Sequence, residues 1–185
     1  MEPTDQELML AVRNGDLEKF GSLFDRHHQS LFNYFYRLSA DAASSEDLVQ
    51  DVFLRMLKYR RSFRHDSLFR AWMYQIARTA RIDRFKRRRE EPTSEQVSSL
   101  RSPQDGPDQC LEDAEQSVLL QKALLQLSED KREILILARF QQMKYSEIAS
   151  LMGVETGAVK VRVHRAIVEL RDIALSMAGE RTNAM

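Results

Sequence analysis

Apolar side chains recur at three- and four-residue spacing through most of this chain, and that period predicts helices. Thr4-x-x-Glu7 has the form of a capping box opening a short helix that ends at Asn14-Gly15. Phe20, Leu23, Phe24, Leu31, Tyr34, Phe35 and Leu38 then mark one buried face of a long helix, with His27 on its inner side as a core or boundary residue. Ser44-x-x-Asp47 offers the next N-terminus, ahead of Leu48, Val49, Val52, Phe53, Met56 and Leu57. A further stripe runs Phe69, Trp72, Met73, Ile76, Ala77, Ala80. Leu119, Leu120, Ala123, Leu124 and Leu127 precede Ser128, an N-cap for Ile134, Leu135, Leu137 and Ala138. Two-residue alternation is sustained nowhere, so the expected fold is all-α.

Proline divides the pattern. None lies between Thr4 and Glu91 or after Pro107, whereas Pro92, Pro103 and Pro107 cluster with Ser, Asp and Gly106. The expected organisation is two small helical domains, 1–89 and 112–178, joined by a flexible acidic linker over 90–111, with a flexible tail over 179–185. Charge follows the same division. The 185 residues hold 28 Lys+Arg and 28 Asp+Glu, a net charge of zero. Residues 1–54 nevertheless carry 4 basic and 10 acidic side chains, and 55–89 carry 13 basic against Asp66 and Asp83 alone. Residues 90–117 hold one base and eight acids, and 118–185 are slightly basic. Neutrality is a cancellation of blocks, and blocks of this kind point to a charged partner.

Other classes are disfavoured. No apolar run approaches the ~20 residues needed to span a bilayer, and the acidic opening Met1-Glu2-Pro3-Thr4-Asp5 does not have the make-up of a signal peptide, so no membrane insertion and a cytoplasmic location are expected. The one cysteine, Cys110, excludes an intramolecular disulfide framework and a Cys-x-x-Cys zinc site. His27, His28, His65 and His164 form no metal-ligand set with carboxylates, and there is no Gly-rich phosphate loop and no nucleophile elbow. The expectation is no enzyme, no cofactor and no metal.

Three segments carry candidate chemistry. Tyr145-Ser-Glu-Ile-Ala-Ser-Leu-Met-Gly153 followed by Val-Glu-Thr156-Gly-Ala-Val-Lys160-Val161-Arg162-Val-His164-Arg165 reads as a helix-turn-helix: Ala149 is small at the crossing, Gly153 takes the turn, and the second helix offers bases away from Val159, Val163, Ala166 and Leu170. An ordinary helical hairpin with a solvated basic face is the alternative. Arg78-Thr79-Ala-Arg81-Ile-Asp83-Arg84-Phe-Lys86-Arg87-Arg-Arg89 puts seven bases in twelve residues, a density suited to phosphate contacts. A solvated helix end, favoured by the helix dipole, is the alternative. In Phe63-Arg64-His65-Asp66-Ser67-Leu68-Phe69-Arg70-Ala71-Trp72, aromatics sit beside bases as in stacking on unpaired bases, but Phe69 and Trp72 lie on the core stripe. The 61–67 loop is the better candidate to touch DNA.

In this order the segments resemble an extracytoplasmic-function (ECF) sigma factor, the minimal two-domain bacterial initiation factor, over roughly residues 5–175. Val12-Arg-Asn-Gly-Asp16 through Phe20 resembles the family's first-helix pattern, and Glu46-Asp-Leu-Val-Gln-Asp-Val-Phe53 its polymerase-binding helix. Ser62–Ser67, Trp72–Ala77 and Ile82-Asp83 resemble its −10 reader, and Leu127-Ser-Glu-Asp-Lys-Arg-Glu-Ile-Leu135 through Arg165 its −35 domain. The resemblance implies core RNA polymerase, promoter DNA and an anti-sigma factor as partners. It assigns polymerase contacts to Asp47, Gln50, Asp51 and Leu54. It assigns −10 contacts to Arg64, His65, Asp66, Ser67, Arg78, Thr79, Asp83, Lys86 and Arg87, and −35 contacts to Thr156, Lys160, Val161, Arg162, His164 and Arg165. Asp83 has two readings, a base contact or a brace for Arg87. Two places depart from the family. Thr79 stands where Asn is common, and Ala158-Val-Lys-Val161-Arg stands where Thr-Val-Lys-Ser-Arg is common, with two hydroxyls fewer. The 22-residue linker reaches about 70 Å at ~3.3 Å per residue, two turns of B-DNA.

Two rivals make different predictions. A polymerase-independent helix-turn-helix regulator leaves the 46–53 helix and the basic block without a task. A recombinase with a C-terminal DNA-binding hairpin requires an N-terminal catalytic domain, usually with strands.

Overall fold

The computed structural model describes residues 2–90 and 111–183, with side chains described for 2–87 and 116–179. The described residues hold helices and turns without strands, as the apolar period implies. The expected linker over 90–111 lies outside them except for its end residues.

The first half has four helices, α1 (Asp5–Arg13), α2 (Lys19–Ser39), α3 (Ala42–Lys58) and α4 (Phe69–Glu90), with a 3-10 turn at Arg60–Ser62. The Thr4–Glu7 capping box forms as expected, and the chain leaves α1 through Gly15 at φ 112°, a conformation open to glycine. Between α2 and α3 the turn is tighter than the sequence suggests. Ala40 takes the left-handed conformation at φ 57°, and Asp41, not Ser44, caps α3 by accepting from the Ser44 N–H at 2.9 Å. Ser44 itself is buried inside α3, where its hydroxyl donates back to Asp41. Phe24 departs from the expected stripe: it is 41% exposed. Tyr34, Phe35, Leu38, Val52, Met56, Phe63, Met73 and Ala77 fill the core.

The second half has α5 (Leu111–Gln126), α6 (Glu129–Leu135), α7 (Tyr145–Met152) and α8 (Thr156–Asn183). Ser128 sits at the start of α6 with extended backbone but accepts no hydrogen bond through its side chain. The expected tail over 179–185 is helical as far as Asn183. After Leu135 the chain widens into a π turn, Ile136–Phe140, in which the Gln141 N–H reaches back to the Ile136 carbonyl at 2.9 Å. The turn re-aims the chain, and Gln142 follows at φ 50°.

The two halves lie against one another. Their buried apolar residues, from Tyr34 and Met73 to Ile134, Leu137 and Ile148, form one contiguous cluster. Polar contacts cross between them as well. At the end of α2 the Tyr36 carbonyl accepts from the Ala40 N–H at 2.7 Å, and the other half supplies further donors to the last turn. The Gln121 amide reaches the Tyr36 and Arg37 carbonyls, both at 3.2 Å, and the Arg132 guanidinium reaches Leu38 at 2.5 Å.

Candidate nucleic-acid interface

α7 and α8 meet at Gly153, whose φ of 66° makes the turn between them. At the start of α7 the Glu147 carboxylate accepts from the Lys144 N–H at 2.8 Å. α8 buries Val159 and Val163 in one cluster with Ile148, Ala149 and Leu151, and Ala166 with Leu124, Leu127 and Leu135. The helical period then fixes what faces outward: Thr156, Lys160, Val161, Arg162, His164 and Arg165 are all exposed. None of Lys160, Arg162, His164 and Arg165 has an ion-pair or hydrogen-bond partner among the described residues. Val161 holds 49% of its surface in solvent within this basic face, an apolar side chain among bases. Arg162 and Arg165 border a cleft of ≈ 360 Å³ shared with Arg78 of α4 and with Asp130 and Lys131.

The second surface joins the 62–67 loop to α4. Phe63 is fully buried, its ring 6.3 Å from Phe69 and 5.1 Å from Trp72, so both aromatics serve the core as the stripe implied. This anchor holds a turn closed by the Ser67 N–H on the Arg64 carbonyl at 3.1 Å, leaving Arg64, His65 and Asp66 exposed. Arg64 and Asp66 pair at 3.1 Å, and Gln6 of α1 donates to the His65 carbonyl at 3.0 Å. The sequence missed that tie because the partners are 59 residues apart.

Along α4, Gln75, Thr79, Ile82 and Lys86 form one exposed strip. The Thr79 hydroxyl donates to the Gln75 carbonyl at 3.0 Å, so its one proton is engaged within the helix, whereas the Gln75 amide, on the same face, has no partner among the described residues. Gln75 was missed; its place four residues before Thr79 was the available signal. Lys86 and Arg87 are exposed. Two predicted DNA contacts are held elsewhere. Arg78 donates to the Glu133 carboxylate at 3.0 Å and to the Leu151 carbonyl at 3.3 Å. Asp83 accepts from Arg55 at 2.6 Å, which holds its carboxyl below the usual range. Its brace is therefore Arg55, not Arg87.

On α3, Glu46, Asp47, Gln50, Leu54 and Lys58 form an outward strip, and Leu54 is 66% exposed. Asp47 pairs with Arg84 of α4 at 3.0 Å, and Asp51 pairs within α3 with Arg55 at 3.0 Å, the same guanidinium that reaches Asp83 of α4. Next to it, exposed Phe24 packs its ring 4.8 Å from Phe53 and stacks on His28. The sequence had placed Phe24 in the core.

Residues 23–91 match the family model for sigma-70 region 2, and residues 117–170 match that for sigma-70 region 4. The RNA polymerase sigma factor YlaC of Bacillus subtilis is 32% identical over 152 residues, covering 80% of this chain and 88% of YlaC. The ECF RNA polymerase sigma factor SigM of Mycobacterium tuberculosis is 30% identical over 169 residues, covering 91% and 84%. The chain belongs to the ECF sigma factors. It is an alternative sigma factor, which binds core RNA polymerase and directs promoter-specific transcription initiation. The sigma factor RpoE, solved in complex with the anti-sigma factor NepR from Bartonella quintana, superposes on it with a TM-score of 0.68 at 28% identity, over 84% of this chain and 96% of RpoE. CnrH, in complex with the cytosolic domain of CnrY, shares the fold at a TM-score of 0.72 and 22% identity, over 93% and 97%. No helix among the described residues of this sigma factor is long and apolar enough to cross a membrane.

Proposed function

We propose that residues 112–178 read the −35 element through the outer face of α8, and that residues 1–89 hold core polymerase and open the −10 element. The observation that carries this is the α8 face, where Lys160, Arg162, His164 and Arg165 are exposed and without partners among the described residues, while the opposite face is packed. Thr156 lies at the entry of that helix, where phosphate contacts form. Val161 meets an apolar group such as a thymine methyl, and Arg165 suits bidentate reading of guanine. On the first half, the exposed Arg64, His65, Asp66 and neighbouring Ser67 receive an unpaired −10 base, and Thr79, Lys86 and Arg87 follow the strand. Gln75 shares that strip, and its amide supplies base-edge bonds where Asn is common at position 79. Arg78 joins them once released from Glu133, while Asp83 acts by bracing Arg55. Asp47, Gln50, Asp51 and Leu54 meet the polymerase.

The protein carries out this work in the cytoplasm and without catalytic chemistry of its own. An anti-sigma factor controls it, as the complexes of similar proteins support. Run-off transcription with core polymerase on a cognate promoter tests the −35 assignment. Lys160→Ala and Arg165→Ala should each lower promoter-specific output roughly tenfold, within the ~1–3 kcal/mol of a good base contact, with polymerase binding unchanged. Equal loss of transcription and polymerase binding overturns it.

A further inference from the structure

The 62–67 loop contains a four-residue turn, closed by the Ser67 N–H on the Arg64 carbonyl at 3.1 Å. That bond leaves the central peptide, between His65 and Asp66, without a partner inside the turn. A peptide in this place can flip, which interconverts turn types I and II while the closing bond persists. Type II requires a positive φ at the third residue, here Asp66, and aspartate is one of the few side chains that tolerates it. The described non-glycine residues at positive φ are Ala40 and Gln142, so Asp66 keeps a negative φ, as type I requires. The sequence of the turn therefore permits two arrangements, and the structure holds one.

The Arg64–Asp66 ion pair spans the turn, but its side chains are 77% and 72% exposed, and a pair so solvated contributes little. The firmer contact comes from α1. Gln6 is half-buried, and its side-chain amide donates at 3.0 Å to the His65 carbonyl, the oxygen of that central peptide. A flipped peptide would carry this oxygen away and lose the bond. In a trans peptide the N–H points opposite to the carbonyl. The bond toward α1 therefore turns the Asp66 N–H outward, where it has no protein acceptor among the described residues. Gln6 is itself held in place. The adjacent Asp5 accepts from Arg26 at 3.0 Å and lies 2.7 Å from the His27 ring nitrogen, and Arg26 also donates to the Pro3 carbonyl at 2.8 Å. Leu8, Met9 and Val12 then seat α1 in the core. The first turn of α1 is thus tied both to α2 and to the loop.

We propose that Gln6 is a positioning residue for −10 reading: it fixes the His65–Asp66 peptide, so that the loop presents one conformation to the unpaired base. This role rests on the assignment of the loop to that base. Run-off transcription by the holoenzyme tests it, with abasic sites placed one at a time along the non-template strand of the −10 element. The position at which the wild type loses most output is that of the received base, and a loss of about tenfold is expected there. Gln6→Met keeps the length and helix propensity of the side chain and removes the donor. On the intact promoter it should lower output about fivefold, the factor of one net hydrogen bond, with melting temperature and polymerase binding at wild-type values. The two losses should overlap, leaving the variant an abasic penalty of only about twofold, because a mis-set loop gains little from the base. Gln6→Lys returns a donor and should return the full penalty, whereas its added charge acts on phosphates without regard to the base. An abasic penalty as large in Gln6→Met as in the wild type overturns the proposal. So does a fall in melting temperature or polymerase affinity that accounts for the whole loss, or a Gln6→Lys that behaves like Gln6→Met. If no abasic site along the −10 element affects the wild type, the base-receiving assignment itself has failed, and the role of Gln6 falls with it.

Discussion

His27 shows how one side chain ties stability to pH. Its imidazole lies between the Phe69 ring, 5.1 Å away, and the Asp5 carboxylate at 2.7 Å. Burial lowers its pKa below the ordinary 6.5, and the Asp5 charge offsets this in part. The folded state therefore favours the neutral ring. The associated stability is complete above pH 6.5, the unfolded value, and declines as pH falls from there toward the lowered folded value. The melting temperature should drop between neutral pH and pH 5 in the wild type. His27→Gln, which keeps a donor toward Asp5 but does not titrate, should flatten that drop. An undiminished drop in the variant would place the titration elsewhere.

At the scale of elements, the two glycines of the helix-turn-helix should respond in opposite directions to the same change. A methyl group at Gly153 or Gly157 meets nothing within 4 Å, so neither substitution is decided by crowding. Gly153 sits at φ 66°, and Gly153→Ala should cost about 1 kcal/mol through the left-handed backbone alone. Gly157 lies in the first turn of α8, and Gly157→Ala should add about 0.4–1 kcal/mol by restricting the unfolded chain. Urea titrations of the two variants check both signs. These glycines also show what was legible in the sequence. Local chemistry announced the Thr4 cap, the Asn14-Gly15 exit and the Gly153 turn, because each needs a particular residue at a fixed offset. It did not announce the α2–α3 turn, where Ala40 takes a conformation typical of glycine and Asp41 displaces Ser44 as the cap. Nor did it announce the π turn, since Ile136–Phe140 reads as ordinary helix until tertiary packing draws Gln141 toward Tyr74. The outward face of α8 was legible, since Val159, Val163 and Ala166 fix its phase. The engagement of Arg78 was not, because its partner Glu133 lies 55 residues away.

Over the whole molecule, charge blocks that cancel along the chain meet in space. The basic α4 packs between α3 and α7, and its arginines reach α6, so Arg78 and Arg81 find Glu133 and Glu129, while against α3 Arg84 finds Asp47 and Asp83 finds Arg55. Much of the basic block is thus occupied, and exposed Lys86 and Arg87 remain at its end. The shared apolar cluster and the buried polar contacts couple the two halves, so neither loses its packing without exposing the other. Calorimetry of the intact chain should therefore show one cooperative transition, with calorimetric and van't Hoff enthalpies equal. Gln141→Ala leaves the Tyr74 hydroxyl buried without its acceptor, a loss of about 1–3 kcal/mol placed at the boundary between the halves. Its expected signature is a split or broadened transition, since uncoupled halves melt at their own temperatures. A single sharp transition merely shifted down would mean that Gln141 stabilises its own half without joining it to the other. Two resolved transitions in the wild type would refute the coupling outright.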